Sequence, residues 1–285
     1  MTEAVAANPK QAFALDPMGK EAQDLAAQER ITTPEQRARM AAQIDTLDRE
    51  GWVVLPGLLS PDKLADLRAG MDELHKVTPF GRSPFEGENA QRIYGLMGKM
   101  PAVWELAADP DVLAVVEGHL NDQIQLSSAA SYSIFPGQAA QVLHEDDTYY
   151  RTGKPFPPIS VSVAWPIDDY REDNGATIVM PRSHKQPNYD NPGLPTTRAV
   201  TPAGSAILWD GSLWHAGGAN NSDAIRRSII LTYNRGWLRQ QENLYLSVPR
   251  DTVRRMPRVV QRLIGWWVVG ATVGVVDGFS PLKTL

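Results

Sequence analysis

His144 and Asp146 place an imidazole and a carboxylate on either side of Glu145. On an extended segment, residues i and i+2 point to the same side. His144 and Asp146 can therefore face one point while Glu145 faces away, which makes half of a metal site. The third ligand must come from elsewhere in the chain, and His215 is the best candidate. It sits in Leu208-Trp209-Asp210-Gly211-Ser212-Leu213-Trp214-His215-Ala216-Gly217-Gly218, read as a strand running into a glycine-rich turn that can bring backbone close to an ion. Two histidines and one carboxylate on one face of an octahedron leave three positions open, the ligand set of non-haem iron(II) oxygenases. A His-x-Asp pair alone is a weak sign, because a hydrogen-bonded surface pair looks the same.

The setting adds weight. Arg226 lies eleven residues after His215 and opens the run Arg227-Ser228-Ile229-Ile230-Leu231-Thr232-Tyr233. An arginine at the mouth of a strand can grip a dicarboxylate, since its planar fork makes two parallel hydrogen bonds and keeps its charge when buried. Alternation lets only one of Arg226 and Arg227 face inward and does not choose between them. Tyr149 and Tyr150 follow the His-x-Asp pair, and Tyr149 is a candidate to line a substrate pocket, with loop packing the equal alternative. His75 and His119 read as solvated histidines near helix ends. His184 reads as a loop-structuring residue, and Trp214 should point away from His215.

The elements that must position these groups come in two textures. Residues 1–32 read as a loose arm or peripheral helix. Thr33-Pro34-Glu35-Gln36 carries the hydroxyl cap, early proline and third-position glutamine of a helix start, with Met40, Ile44 and Leu47 following at helical spacing. Gly51 should end that helix before a short strand at Trp52-Val53-Val54-Leu55. Ser60-Pro61 opens a second helix with Leu64, Leu67, Met71 and Leu74 on one face. The helical part extends over 33–120. From about residue 124 short β-rich runs take over: 124–135, 139–143, 159–167, 176–180, 203–209 and 227–233, with Asn174-Gly175 as a tight-turn signal. Many short strands with Gly/Pro punctuation point to a mainly β fold with flanking helices, a double-stranded β-helix (jelly roll) over about 124–237, followed by an extension over 238–285. The loops 145–158 and 181–202 are long enough to serve as lids or binding loops.

Composition bounds the function. The chain has 285 residues, no cysteine and a net charge of −5. Thiolate zinc sites, iron–sulfur clusters, disulfides and cysteine nucleophiles are excluded together, and a reducing, cytoplasmic setting fits. An acidic chain is ill suited to nucleic acid. The apolar run 263–276 is too short to span a membrane and reads as buried packing. Arg250, Arg254, Arg258 and Arg262 recur at i+4 but Pro257 interrupts them, so they read as a solvated face.

Several segments together resemble the phytanoyl-CoA dioxygenase family: Gly51-Trp52-Val53-Val54-Leu55-Pro56-Gly57, His144-Glu145-Asp146, Trp165 with Asp168-Asp169, Asn174-Gly175-Ala176, Pro181-Arg182-Ser183-His184, His215, Arg226 and Val276-Asp277-Gly278-Phe279-Ser280-Pro281. The resemblance implies iron(II) held by His144, Asp146 and His215, 2-oxoglutarate clamped by Arg226, and dioxygen as co-reactant. It implies decarboxylation of 2-oxoglutarate to succinate and carbon dioxide with oxidation of a small organic molecule. It further suggests Trp165 as a wall of the cosubstrate pocket and Ser131 as a contact to 2-oxoglutarate. Arg182 departs from the family's usual glycine. Asp146 stands where halogenating relatives have a small residue, so oxygenation is implied. Two other functions compete: a cupin-like metal oxygenase or isomerase without 2-oxoglutarate, which the role of Arg226 would decide, and a non-catalytic jelly-roll binding module, which metal content would decide.

Overall fold

The β-branched runs pair antiparallel throughout. In the computed structural model, which describes residues 30–150, 153–154, 156–270 and 272–285, six strands form one sheet in the order β1-β7-β4-β9-β3-β2. They are β1 (Trp52–Leu55), β2 (Ala90–Ile93), β3 (Ile124–Ile134), β4 (Ser160–Pro166), β7 (Ala206–Asp210) and β9 (Arg226–Arg235). A three-stranded sheet, β6-β5-β8, is built from β5 (Ile178–Val179), β6 (Thr197–Arg198) and β8 (His215–Ala216). The sheet is therefore not confined to residues 124–237, because β1 and β2 from the helical part supply its two edges. The expected run over 139–143 forms no strand. Val142 is 80% exposed, and the segment makes only single contacts such as Gln141 N–H to Gly217 O at 2.9 Å.

Helices cover the outer face of the large sheet. Helix α1 (Pro34–Arg39) starts with the expected capping box at Thr33, and α2 (Ala41–Glu50) ends at Gly51 in the left-handed conformation, φ 82°. Helix α3 (Pro61–His75) is capped by Ser60 and buries Leu64, Leu67 and Met71, the stripe read from the sequence. Helix α4 (Pro110–Leu120) is buried along most of its length. These helices and the outer sides of β3, β4 and β9 share one large core that includes Leu126, Ala129, Val161, Val163, Trp165, Ile229 and Leu231. A smaller core between the sheets holds Ala164, Tyr170, Ile207, Trp209 and Leu213. β4 is buried on both faces, which marks a strand sandwiched between layers.

The expected arm lies outside the described residues over 1–29. Its end is docked: Ile31 N–H and Thr32 N–H donate to Glu117 on α4 at 2.7 and 2.8 Å. The apolar run 263–276 divides in two. Leu263, Ile264, Trp266 and Trp267 are buried, whereas Val273, Val275 and Val276 are at least 37% exposed. Gly270 and Gly274 adopt positive φ there, and the turns they make prevent the valines from sharing one buried face. The arginine series splits at Pro257 into α5 (Arg250–Arg255) and α6 (Arg258–Leu263). Arg262 is buried against the Trp267 ring, so the four arginines do not form one solvated face. Among the described residues, no helix is long and apolar enough to cross a membrane.

Candidate metal centre

A backbone pairing creates the site. His144 and His215 face each other as an isolated antiparallel bridge, each N–H donating to the other's carbonyl at 2.9 Å. Residues directly opposite in an antiparallel pair project to the same side, and the two rings lie with centroids 4.5 Å apart. Asp146 opens a short 3-10 turn over Asp146–Tyr150 and swings its carboxylate toward them. One ligand atom from each of His144, Asp146 and His215 lies within 4.8 Å of the others. Glu145 is buried away from the cavity and pairs with Lys154.

The tautomers suit a cation. His144 Nδ1 and His215 Nδ1 each lie 2.9 Å from a backbone carbonyl, of Val142 and Leu213 respectively. A carbonyl only accepts, so both Nδ1 atoms carry the proton and both Nε2 lone pairs remain for a metal. Burial and the neighbouring His215 hold the His144 imidazole below its usual pKa, which favours the neutral, ligating form. Asp146 is fixed from behind: Ser162 Oγ–H and Trp209 Nε1–H both donate to its Oδ2, at 2.8 and 3.1 Å. Its Oδ1 is left facing His215 Nε2 at 3.6 Å. This donor set, one carboxylate oxygen and two imidazole nitrogens on one side of a cavity, fits iron(II) with open positions.

A buried polar chain backs the triad. Ser160 Oγ–H and Ser212 Oγ–H donate to Asp147, whose carboxyl is pushed well above its usual pKa by burial and by Asp210. Asp210 accepts from His119 Nε2 at 2.7 Å, and His119 Nδ1 contacts Asp48. Burial disfavours the His119 imidazolium, but Asp210 and Asp48 outweigh it and raise its pKa to about 9. His119 is therefore a buried, charged link and not a solvated helix-end histidine. His75 also departs from that expectation: it is half-buried, and its Nε2 lies 2.8 Å from Ser133 Oγ. His184 keeps its loop role, bonding the Asp48 carbonyl at 3.1 Å. Gly211 makes the chain possible, because a Cβ there would lie 2.1 Å from Ser160 Oγ and 2.4 Å from Asp147 Oδ1.

The triad opens into a cavity of about 590 Å³ that also receives Arg226, Tyr149 and Tyr132, within the ~300–1,000 Å³ typical of small-molecule sites. Arg226 faces inward. It donates to Tyr170 Oη, Ser228 Oγ and Gly175 O at 3.1, 2.8 and 2.7 Å, and its guanidinium stacks on the Tyr170 ring. Its Nε is buried with no partner. Arg227 faces the opposite way and binds Asp168 and Asp72. Tyr149 lines the cavity mouth and is 81% exposed.

Ser131 and Trp165 do not reach the cavity. A bulge between Leu126 and Ser128 shifts the register of β3. Beyond it Ser128, Ala130, Tyr132 and Ile134 line the cavity, so Ser131 turns to the helix side. On β4, Ser162 faces the cavity and Trp165, at opposite parity, packs in the outer core. The tryptophan that touches the site is Trp209. Arg182 holds the left-handed backbone expected of glycine, φ 68°, and forms a two-pronged ion pair with Glu50 at 2.9 and 3.0 Å.

Known proteins agree with this architecture. A family profile described as phytanoyl-CoA dioxygenase (PhyH) matches residues 47–228. "Dioxygenase cdmA" of Talaromyces verruculosus is 38% identical over 141 residues, 47% of each chain. "Dioxygenase swnH1" of Metarhizium robertsii is 28% identical over 272 residues, covering 85% of this chain and 87% of the relative. Among solved structures, the non-haem alpha-ketoglutarate-dependent epimerase SnoN from nogalamycin biosynthesis superposes with TM-score 0.61 at 20% identity, over 75% of this chain and 89% of that one. EctD from S. alaskensis with bound Fe gives TM-score 0.58 at 21% identity, over 69% and 76%. The mostly antiparallel core with flanking helices is the double-stranded β-helix of these proteins.

Proposed function

The chain belongs to the phytanoyl-CoA dioxygenase family, and on that premise we propose that His144, Asp146 and His215 hold the iron of an iron(II)/2-oxoglutarate dioxygenase, with Arg226 anchoring the cosubstrate. An activity of this class, oxidising a small organic molecule, is what its relatives support. The observation that carries the residue assignment is the meeting of two free imidazole Nε2 atoms, one singly available carboxylate oxygen and the buried Arg226 side chain around one cavity.

Bound iron(II) and 2-oxoglutarate supply the oxidising chemistry, in which dioxygen is consumed, 2-oxoglutarate becomes succinate and carbon dioxide, and a substrate C–H bond is oxidised. The protein's residues do the rest. Val142 and Leu213 carbonyls keep the Nδ1 protons in place and aim both Nε2 atoms at one point. Ser162 and Trp209 occupy Asp146 Oδ2, so that carboxylate offers one oxygen and leaves the other positions open. Gly175 O, Ser228 and Tyr170 orient the Arg226 fork for the far carboxylate of the cosubstrate. Tyr149 stands at the mouth, where it can cover a bound substrate. A jelly-roll core and cytoplasmic residence complete the reading; a chain without cysteine needs no oxidising compartment to fold.

The test is 2-oxoglutarate consumption with succinate formation by the iron-loaded protein, wild type against Arg226→Ala. Loss of the charged anchor should weaken 2-oxoglutarate binding about 100-fold. Unchanged turnover in Arg226→Ala would favour a metal oxygenase that does not use this cosubstrate.

A further inference from the structure

The cavity has an unbalanced charge. Its walls carry three guanidinium groups, Arg92, Arg226 and Arg239, and two carboxylates, Asp146 and Glu86. Elsewhere arginines commonly pair with acids, as Arg68, Arg227 and Arg235 do. Among the described residues none of the three cavity arginines has a carboxylate partner. Arg92 donates to the Glu86 carbonyl at 3.1 Å and to the Phe85 carbonyl, and lies over the Tyr132 ring at 4.8 Å. These contacts orient its charge without cancelling it. Arg239 is exposed at the mouth, and its backbone carbonyl is pinned by Tyr150 Oη–H at 3.1 Å and Asn234 Nδ2–H at 3.3 Å.

Strand register separates the two ends. Arg226 pairs with Ile134 at one end of β3 and β9, and Asn234 pairs with Gln125 at the other. Asp146 bonds Ser162, which pairs with Thr232 between those ends. The cavity thus runs from Arg226, past the triad, to Arg239. Iron(II) would add two positive charges and 2-oxoglutarate would remove two, leaving one positive charge over. In a chain whose net charge is −5, a cationic cavity selects for anions, because low-dielectric walls focus the local field.

Resting on the iron(II)/2-oxoglutarate reading, we infer that the organic substrate is a monocarboxylic acid. Its carboxylate is held by Arg239 at the end of the cavity opposite Arg226, and its body lies against Tyr94, Tyr132 and Tyr149. The planar guanidinium fork suits a carboxylate, and the residual single charge matches a monoanion better than a polyphosphate.

The experiment is anaerobic calorimetry on the iron(II)- and 2-oxoglutarate-loaded protein. The probes are a panel of flat aromatic and alkenyl carboxylic acids, each with its primary amide. The acids should bind about tenfold or more tightly than their amides, and added salt should weaken only the acids. Arg239→Gln should erase that preference, and Arg239→Lys should restore part of it. Thermal melts would check that these exposed-site variants remain folded. Acids that bind no better than amides, or not at all, overturn the inference, as does a full preference in Arg239→Gln. A parallel titration with 2-oxoglutarate separates the two levels. If 2-oxoglutarate binds and the acids show no preference, only the substrate assignment fails; if 2-oxoglutarate itself does not bind, the iron/2-oxoglutarate reading fails and takes the assignment with it.

Discussion

Ser162→Ala and Trp209→Phe should loosen the metal without touching a ligand. Both side chains donate to Asp146 Oδ2, at 2.8 and 3.1 Å. Hydrogen bonds to a charged acceptor are worth about 1.5–3 kcal/mol each, and loss of such outer contacts typically costs about 10- to 100-fold in metal affinity. The Asp146 side chain retains 25% exposure, so water can replace one lost donor. Each single change therefore belongs near the lower end, about tenfold, and the pair together near 100-fold. Phenylalanine at 209 keeps a ring against His215, where the indole now sits with centroids 5.0 Å apart, so packing is largely preserved. The assay is calorimetric binding of Mn(II), a redox-stable stand-in for iron(II), with circular dichroism as the check on fold. Wild-type Mn(II) affinity in the folded double variant would refute the claim that these two donors set the carboxylate.

Stability should fall at high pH through His119. Its folded pKa of about 9 lies above the usual 6.5, so folding favours the protonated ring. That contribution is complete below about pH 6.5, declines as pH rises and is lost above about pH 9, amounting to something on the order of 3 kcal/mol. Urea titrations at about pH 6 and about pH 9.5 should show this slope in wild type and a shallower one in His119→Gln. Gly175→Ala should both destabilise and weaken 2-oxoglutarate binding. Gly175 has φ 87°, a Cβ there would lie 2.1 Å from Ile134 Cδ1, and its carbonyl orients Arg226; the strained backbone alone costs about 1–3 kcal/mol, readable by denaturant titration. Arg182→Gly should raise the thermal midpoint, because relief of a left-handed arginine outweighs an exposed ion pair; a lower midpoint would show the Glu50 contact to matter more.

Much of the site was legible because it rests on short-range rules. The i, i+2 relation of His144 and Asp146 is local, and so are the cap at Thr33 and the left-handed stop at Gly51. The inward choice of Arg226 over Arg227 needed the family resemblance, since alternation permits either. Ser131 lies on β3, where a bulge resets parity, and Trp165 lies on β4, which is buried on both faces so that apolar pattern carries no inside–outside signal. Ser162 and Trp209 could not be found for the same reason. His119 was misread because its partners, Asp48 and Asp210, are 71 and 91 residues away. No local pattern reports such contacts.

The most direct test of the central claim is an anaerobic titration of the purified protein with iron(II) and then 2-oxoglutarate, followed by visible absorption. Chelation of the cosubstrate by iron at His144, Asp146 and His215 predicts a weak charge-transfer band that saturates at one equivalent, is lost in His215→Ala, and is followed by succinate formation when oxygen and a substrate are admitted. A protein that remains folded, shows no band at any 2-oxoglutarate concentration and yields no succinate would contradict the account.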